Sequence, residues 1–232
     1  NPCSGKKIII PGKKDVKDTE IAIFTDAEID TLKQALNGHR LKCLILMALG
    51  TGLRQGELLA LKWSDIDTDL KEVKVEKTIK RVKIIESDGS SRHEVITQAP
   101  KSKTSNRIVP IPSTLIPVLK EHEKEQKLEK IKAGPSYLDN NFIFATATGN
   151  PLSTKNLFMS YKNLLKKAKI PHKKFHALRH TYATKLFEAN VPLKTVQTLL
   201  GHSDISITAN IYTHVMPKEK ISAVEKLNSL FI

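Results

Sequence analysis

The stretch LLGHSDISITANIYTH, from Leu199 to His214, decides how the last third of the chain folds. Gly201 follows an apolar segment, and because glycine readily adopts the positive φ that ends a helix, it predicts a helix stop with His202 in the turn that follows. A second helix is expected to start just beyond this turn and to carry Tyr212. Taken alone, Tyr212 is better explained as an aromatic residue of the core than as a reactive group.

Helical signals continue toward the N-terminus. Pro192 suits the first turn of the helix that Gly201 ends, and another helical segment runs from about His176 to Asn190. The spacing of Thr25 and Glu28 is that of a capping box, which marks a helix start. The apolar run from residue 41 to residue 49 predicts a buried helix that the following glycines stop. Further helical segments are predicted over 53–61, 115–132 and 153–169.

The sequence period changes to two between Lys71 and Ile79, where apolar and charged residues alternate as in a strand with one solvated face. Further strands are predicted near His93 to Gln98 and Arg107 to Ile111, with the basic stretch from Lys101 to Asn106 as the turn between them. These signals predict an α+β fold that is mainly α-helical, with a small three-stranded antiparallel sheet.

The charge balance indicates a nucleic-acid partner. The chain has 38 Lys and Arg against 24 Asp and Glu, a formal charge of +14, which attracts phosphate polymers. No segment approaches the roughly 20 apolar residues that a membrane-spanning helix needs, and no signal peptide opens the sequence. We therefore expect a cytoplasmic protein with no membrane partner. Because Asn1 is not a start methionine, we also expect the chain to be a fragment of a longer protein.

Two groups of polar residues accompany His202 and Tyr212. Arg54 and Glu57 lie one turn apart on a predicted helix, where Glu57 could hold the guanidinium, although an exposed ion pair explains this spacing as well. His176 and Arg179 form a positive edge at another helix start. His176 and His180 have a spacing open to a metal, but no Glu follows the first His and no Cys is near. We therefore predict no metal site.

Jointly, these residues suit the cleavage of a phosphodiester without a metal. The transition state gathers negative charge on the phosphoryl oxygens, and fixed arginine and histidine donors can offset it. A tyrosine hydroxyl, with a pKa of about 10, needs a base or a strongly positive site to attack. The leaving oxygen needs a proton, for which a flexible lysine is a suitable donor.

Four phrases of the sequence resemble the signature boxes of the tyrosine recombinase (phage integrase) family. They are TGLRQGELLALKW, KSKTSNRIVPIP, FHALRHTYATKL and LLGHSDISITANIYTH, and they span Thr51 to His214. Within the family, the chain is most similar to integrases of conjugative transposons. The resemblance implies the tyrosine recombinase catalytic-domain fold. It also implies a site-specific recombinase that cuts and rejoins DNA through a 3′-phosphotyrosine intermediate, to integrate and excise a mobile element.

The resemblance also implies a role for each residue that matches a box. Arg54 and Arg179 would clamp the non-bridging oxygens of the scissile phosphate, and Glu57 would support Arg54. His176 would act as a proton acceptor or phosphate contact, and His202 as a further hydrogen-bond donor.

The remaining catalytic roles fall to a lysine and to the tyrosine. Lys103 would protonate the departing 5′ oxygen, with Lys101 as a rival because basic turns of this kind vary in length. Tyr212 would attack phosphorus and leave a free 5′ hydroxyl. No cofactor, ATP or metal is implied. DNA contacts outside the catalytic set are expected from Lys101, Arg107, Lys173 and Lys174.

The family also implies a domain plan and partners. Residues 1–20 would be a linker from a missing N-terminal DNA-binding region, 21–216 the catalytic domain, and 217–232 a C-terminal segment. The apolar stripe of that segment, from Ile221 to Leu230, would dock on a neighbouring subunit or on its own domain. Family members act as homotetramers on paired sites in double-stranded DNA. The isolated piece is expected to be monomeric, and an accessory excision factor could take part.

Three alternatives remain open at the level of sequence. A type IB topoisomerase uses a similar set of residues, although the residues of the four signature boxes resemble those of an integrase more closely. A non-catalytic DNA-binding regulator would form no covalent product. A metal-independent ribonuclease that used His176, His202 and Lys103 would not need Tyr212.

Overall fold

The computed structural model describes residues 21–85, 89–98, 106–215 and 228. These residues form eight α-helices and five β-strands. The helices are α1 (Asp26–Ala35), α2 (Lys42–Thr51), α3 (Gln55–Ala60), α4 (Ile116–Ala133), α5 (Thr154–Lys167), α6 (Ala177–Glu188), α7 (Leu193–Leu200) and α8 (Ile205–Val215). The strands are β1 (Ile66–Asp67), β2 (Glu72–Val75), β3 (Thr78–Ile85), β4 (Ser91–Gln98) and β5 (Arg107–Pro110).

The predicted helix boundaries are confirmed where capping residues mark them. Thr25 caps α1, since its hydroxyl accepts from Glu28 N at 3.2 Å while Glu28 Oε2 accepts from Thr25 N at 2.9 Å. Gly52 ends α2 at φ 62°, and Gly201 ends α7 at φ 65°. These are left-handed conformations that favour glycine, so both stops follow from the sequence.

The mainly helical fold with a small three-stranded antiparallel sheet is confirmed, but the strands of that sheet differ from those expected. The sheet has the order β1, β2, β5, and β3 pairs with β4 in a separate hairpin. The predicted strand over 71–79 is divided at Glu76 and Lys77. Val73 and Val75 are buried, and β5 supplies Val109 directly opposite Val73. The burial of these valines therefore joins β5 to β2, and the third place in the sheet goes to the short β1.

Helix α6 joins two hydrophobic clusters. Its first turn contributes Ala177 and Leu178 to the main core, which α2 fills with an almost wholly apolar sequence. Its second half contributes Ala183 and Phe187 to a smaller cluster with α7 and α8. Since α6 packs against α2 as well as against α7 and α8, it fixes the C-terminal helices relative to the core.

Three expected features lie wholly or largely outside the described residues. They are the linker over 1–20, the basic turn with Lys101 and Lys103, and the segment over 217–232, of which Asn228 alone is described. Within the ranges that the structure does describe, no helix combines the length and apolar character needed to cross a membrane.

The core makes a direct prediction for stability. Leu58 is 0% exposed, so Leu58→Ala should lower the free energy of unfolding by about 2–5 kcal/mol through lost burial and a cavity. Leu128 is 59% exposed, and Leu128→Ala should change it by less than about 0.5 kcal/mol. Urea unfolding of both variants measures the difference, and equal losses would contradict this description of the core.

Candidate active site

Three arginines meet at the C-terminal end of α7. The last carbonyls of a helix have no partner within the helix and carry the negative end of its dipole, so they attract cationic donors. Each of three successive carbonyls here accepts from a different guanidinium. The bonds are Arg107 Nε to Leu199 O (2.9 Å), Arg179 Nη2 to Leu200 O (2.6 Å) and Arg54 Nη2 to Gly201 O (3.1 Å).

Glu57 provides the negative charge within this cluster. It accepts from Arg54 Nη1 at 2.7 Å and from the Arg54 backbone N at 2.8 Å, and from Arg107 Nη1 and Nη2 at 3.2 and 3.0 Å. Burial alone would raise the pKa of Glu57. The hydrogen bonds and charge of Arg107, and then those of Arg54, outweigh burial and lower this pKa to about 2. Glu57 is therefore ionised at neutral pH and orients both arginines.

Arg179 is buried and connects two helix ends. Its side chain donates from Nη1 to Gly52 O at 2.7 Å, beyond the end of α2, and from Nη2 to the end of α7. Its Nε is buried, and the structure, over the part of the chain it describes, gives this atom no hydrogen-bond partner. Burial and then the charge of Arg54 lower the pKa of Arg179. The backbone carbonyls that hold Arg179 carry no net charge. The positive charge of Arg179 is therefore not neutralised and can attract an anion.

Arg107 lies inside the protein, where sequence reasoning expected a surface contact with DNA. Its side chain is only 6% exposed, and its guanidinium bonds Glu57 and the end of α7. The absence of a side chain at Gly201 makes room for it, because a Cβ there would lie 2.9 Å from Arg107 Nη1. Arg107 shares the Glu57 carboxylate with Arg54 and so helps to hold the carboxylate that orients Arg54.

His202 lies in the turn after α7, as predicted, and contacts both flanking helices. Its carbonyl accepts from Gln197 Nε2 at 3.1 Å, and its Nδ1 lies 2.9 Å from Thr208 Oγ1 on α8. Burial, followed by the positive charge of Arg179 and its neighbours, lowers the pKa of His202 to about 3. The ring is therefore neutral at neutral pH.

His176 and His180 lie edge to face at the start of α6, with ring centroids 4.6 Å apart. His176 keeps an exposed surface, whereas Nδ1 of His180 is buried. Desolvation by the surrounding protein, followed by electrostatic interactions with His180 and Arg179, lowers the pKa of His176 to about 4. His176 is thus also neutral at neutral pH and can accept a proton. The described residues contain no cluster of three or more metal-ligating side chains.

Tyr212 lies on α8 one turn beyond Thr208, the residue that contacts His202. Residues four apart share a helix face and differ in height by roughly 6 Å. The Tyr212 ring is half-buried and packs edge to face on Phe187, with centroids 5.1 Å apart. Tyr212 is therefore part of the C-terminal cluster and is also joined through α8 to the His202 turn.

The lysines expected to donate a proton (Lys103) or to contact DNA (Lys101, Lys173 and Lys174) fall into three groups. Lys101 and Lys103 lie outside the described residues. Lys173 forms an ion pair with Glu28 and lies 5.2 Å from the centroid of the Phe24 ring, so it braces α1 against the segment before α6. Lys174 is exposed.

Sequence reasoning missed Gln197 and Thr208 as supports of His202, and it missed the buried position of Arg107. The one available signal was the spacing of Thr208 and Tyr212 on one face of the predicted helix. Nothing in the local sequence indicated that Arg107 would reach α7.

Comparison with known proteins agrees with this fold. The sequence profile of the phage integrase family matches residues 23–219. The chain therefore belongs to the phage integrase family, the class of the tyrosine recombinases.

Individual relatives support the same assignment. The chain is 59% identical over its full length to a "Tyrosine recombinase XerC-like" protein of Caldanaerobacter subterraneus subsp. tengcongensis, and covers 60% of that protein. It is 36% identical over 78% of its length to the integrase of Staphylococcus phage L54a, and covers 49% of it. The chain thus spans about half to three-fifths of these relatives.

A solved structure resembles the chain over nearly all of its length. The Tn1549 transposon integrase, in complex with transposon right end DNA, superposes with a TM-score of 0.75 at 25% identity, over 93% of this chain and 69% of that one. The expected similarity to integrases of conjugative transposons is confirmed.

Breaking the buried ion pair between Glu57 and Arg107 is predicted to destabilise the protein. Arg107→Met should lower the free energy of unfolding by about 3–5 kcal/mol, because it leaves a buried carboxylate without its main partner. Arg40 pairs with Glu129 at the surface, where the two side chains are 45% and 30% exposed. Arg40→Met is the control and should cost about 1 kcal/mol or less. Denaturant unfolding compares the two, and a loss for Arg107→Met no larger than that of the control would count against the buried pair.

The low histidine pKa values predict that the free energy of unfolding depends on pH. Folded His202 stays neutral down to a pH of about 3, whereas the histidine of the unfolded chain takes up a proton near its ordinary pKa of 6.5. The unfolded state therefore binds more protons below pH 6.5, and stability should fall with decreasing pH, by up to about 1.4 kcal/mol per pH unit for one such group.

The test of this pH dependence is the slope of unfolding free energy between pH 6.5 and 5. His202→Gln should reduce that slope, while His172→Gln, at an exposed position outside the site, should leave it unchanged. An unchanged slope in His202→Gln would show that His202 titrates normally in the folded protein.

Proposed function

We propose that this chain carries the catalytic site of a site-specific DNA recombinase, an integrase that cuts and rejoins DNA through a 3′-phosphotyrosine intermediate. The integration and excision of a mobile element would be its biological task. The observation that supports this most strongly is the meeting of Arg54, Arg179 and His202 at the end of α7, with Tyr212 on the next helix.

Arg54 and Arg179 would hold the scissile phosphate. Arg54 is oriented by Glu57 and by Gly201 O, and its side chain is 36% exposed, so it can present further N–H donors to a phosphate oxygen. Arg179 would supply positive charge from beneath, with its Nε as an uncommitted donor among the described contacts. Donors fixed before the substrate arrives need no reorganisation when charge develops on phosphorus.

The two neutral histidines suit different roles. His176 would take the hydroxyl proton of Tyr212 or contact the phosphate, because a base must be unprotonated at working pH. His202 would donate a hydrogen bond to a phosphate oxygen from the ring nitrogen that does not contact Thr208.

The chemical steps balance without an energy source. Tyr212 Oη would form a bond to phosphorus as the bond from phosphorus to the 5′ oxygen breaks, and Lys103 would protonate that oxygen, with Lys101 as the alternative donor. A 5′ hydroxyl of another strand would then attack the phosphotyrosine and release Tyr212. Since one phosphoester replaces another at each step, no ATP is required. Independence from metal and ATP is general to the family.

The partners would be double-stranded DNA and other copies of the protein. The net charge of +14 favours DNA, and the Tn1549 transposon integrase is bound to DNA in its solved structure. Lys174 and the lysines of the basic turn would contribute phosphate contacts, while Arg107 would act as a support. We propose a homotetramer on paired sites, with the isolated chain monomeric and an accessory factor in excision. We also propose that the protein acts in the cytoplasm of a prokaryote.

Three proposed features complete this plan. Residues 1–20 would be the linker from an N-terminal DNA-binding region, 21–216 the catalytic domain, and 217–232 the segment that docks on a neighbouring subunit or on its own domain.

The test is covalent capture on a nicked suicide substrate of double-stranded DNA. The chain should form a detergent-resistant adduct, also in EDTA, and Tyr212→Phe should reduce it below detection because the nucleophilic oxygen is lost. Tyr137→Phe is the matched control and should leave the adduct unchanged. An adduct that persists in Tyr212→Phe would contradict the proposal. Rejoining to a second duplex, and not only to the cleaved strand, separates a recombinase from a topoisomerase.

A further inference from the structure

Thr208 makes a buried contact with His202 that the proposed catalytic roles do not account for. Its side chain is 0% exposed, and its Oγ1 lies 2.9 Å from Nδ1 of His202, which is itself 9% exposed. The contact spans the turn between α7 and α8 and lies one helical turn before Tyr212.

The hydroxyl of Thr208 has a different hydrogen-bond partner from the hydroxyls of four other helical threonines in the same fold. A helical threonine commonly donates to the carbonyl four residues back. Within the described ranges, four threonines do so at distances of 2.5 to 2.9 Å, namely Thr31, Thr51, Thr181 and Thr198. For Thr208 the structure records the bond to His202 instead.

The direction of this bond determines what His202 can offer to a ligand. Burial, followed by the positive charges of Arg179, Arg54 and Arg107, keeps the ring neutral at neutral pH, and the ionisable neighbour His176 acts in the same direction. A neutral imidazole carries its single hydrogen on one nitrogen, and the partner at the other nitrogen selects which. If the Thr208 hydroxyl donates to Nδ1, the hydrogen lies on Nε2, the nitrogen left for a phosphate oxygen.

We propose that Thr208 is a positioning residue for His202, whose hydroxyl donates to Nδ1 and so makes Nε2 the hydrogen-bond donor of the site. The same bond fixes the imidazole ring to the helix that carries Tyr212. This proposal rests on the proposed function, because it assigns Nε2 of His202 to the scissile phosphate. Gln197 holds the backbone of the same residue through His202 O, so ring and backbone are each fixed by one neighbouring helix.

The first test compares two substitutions of Thr208. Thr208→Val keeps the shape and removes the hydroxyl, and should slow single-turnover adduct formation by about tenfold, the value of one hydrogen bond. Thr208→Ser keeps the hydroxyl and should stay within about threefold of the unmodified chain. The dissociation constant for DNA should change by less than about threefold in both variants, because the phosphate contacts that dominate affinity remain.

Thr184 provides the matched control. It is a buried helical threonine, 1% exposed, whose hydroxyl has no hydrogen-bond partner in the described chain. Thr184→Val therefore makes the same chemical change away from His202 and should leave the rate of adduct formation unchanged. A rate loss of equal size in Thr184→Val and Thr208→Val, or in Thr208→Ser and Thr208→Val, would overturn the proposal.

A second readout does not depend on activity. Nitrogen-15 NMR of the histidine rings at neutral pH should show the His202 hydrogen on Nε2 in the unmodified chain and in Thr208→Ser, and a mixture of both forms in Thr208→Val. A hydrogen found on Nδ1 in the unmodified chain would overturn the proposal even if Thr208→Val fails to fold. If the unmodified chain forms no adduct, the proposed function fails, and the spectrum still decides whether Thr208 selects the tautomer.

Discussion

The structure depends on the C-terminal end of α7 as an acceptor for cations. A helix end offers carbonyls without partners and a partial negative charge, and here three successive carbonyls are taken by three arginines from different parts of the chain. Gly201 makes this end accessible, because its left-handed conformation turns the chain away and its lack of a side chain admits Arg107. A residue with a Cβ would meet that guanidinium.

The positive and negative charges within this cluster are unequal. Among the described residues, the cluster contains three guanidinium groups and a single carboxylate, Glu57, which bonds two of them, while backbone carbonyls accept from the third. Buried charges are normally paired, since an unpaired one is costly to desolvate. The surplus at this site is therefore best understood as charge prepared for an anionic group. Burial, followed by the charges of His180, Arg179 and Arg54, keeps His176 neutral, which suits the base role proposed for it.

Helix α8 connects the proposed phosphate site to the proposed nucleophile. Its first turns hold His202 through Thr208, and its next turn carries Tyr212, whose ring packs on Phe187 of α6. Because α6 also supplies His176 at its N-terminal end and Arg179 one turn later, the proposed base, one arginine of the clamp and the support for Tyr212 all belong to one helix. A shift of α6 would move all three.

The helices, their capped and glycine-terminated ends and the family follow from the sequence alone, which also named most of the candidate site residues. These follow from local rules: the period of apolar residues, the capping box at Thr25, and motifs whose members lie a few residues apart. The pairing of the strands and the burial of particular basic residues became known from the three-dimensional structure. Arg107 bonds a carbonyl 92 residues away, Arg179 one 127 residues away and Arg54 one 147 residues away. Local patterns cannot encode such contacts, because whether a charged side chain meets solvent or a carboxylate depends on which distant segments the core brings beside it.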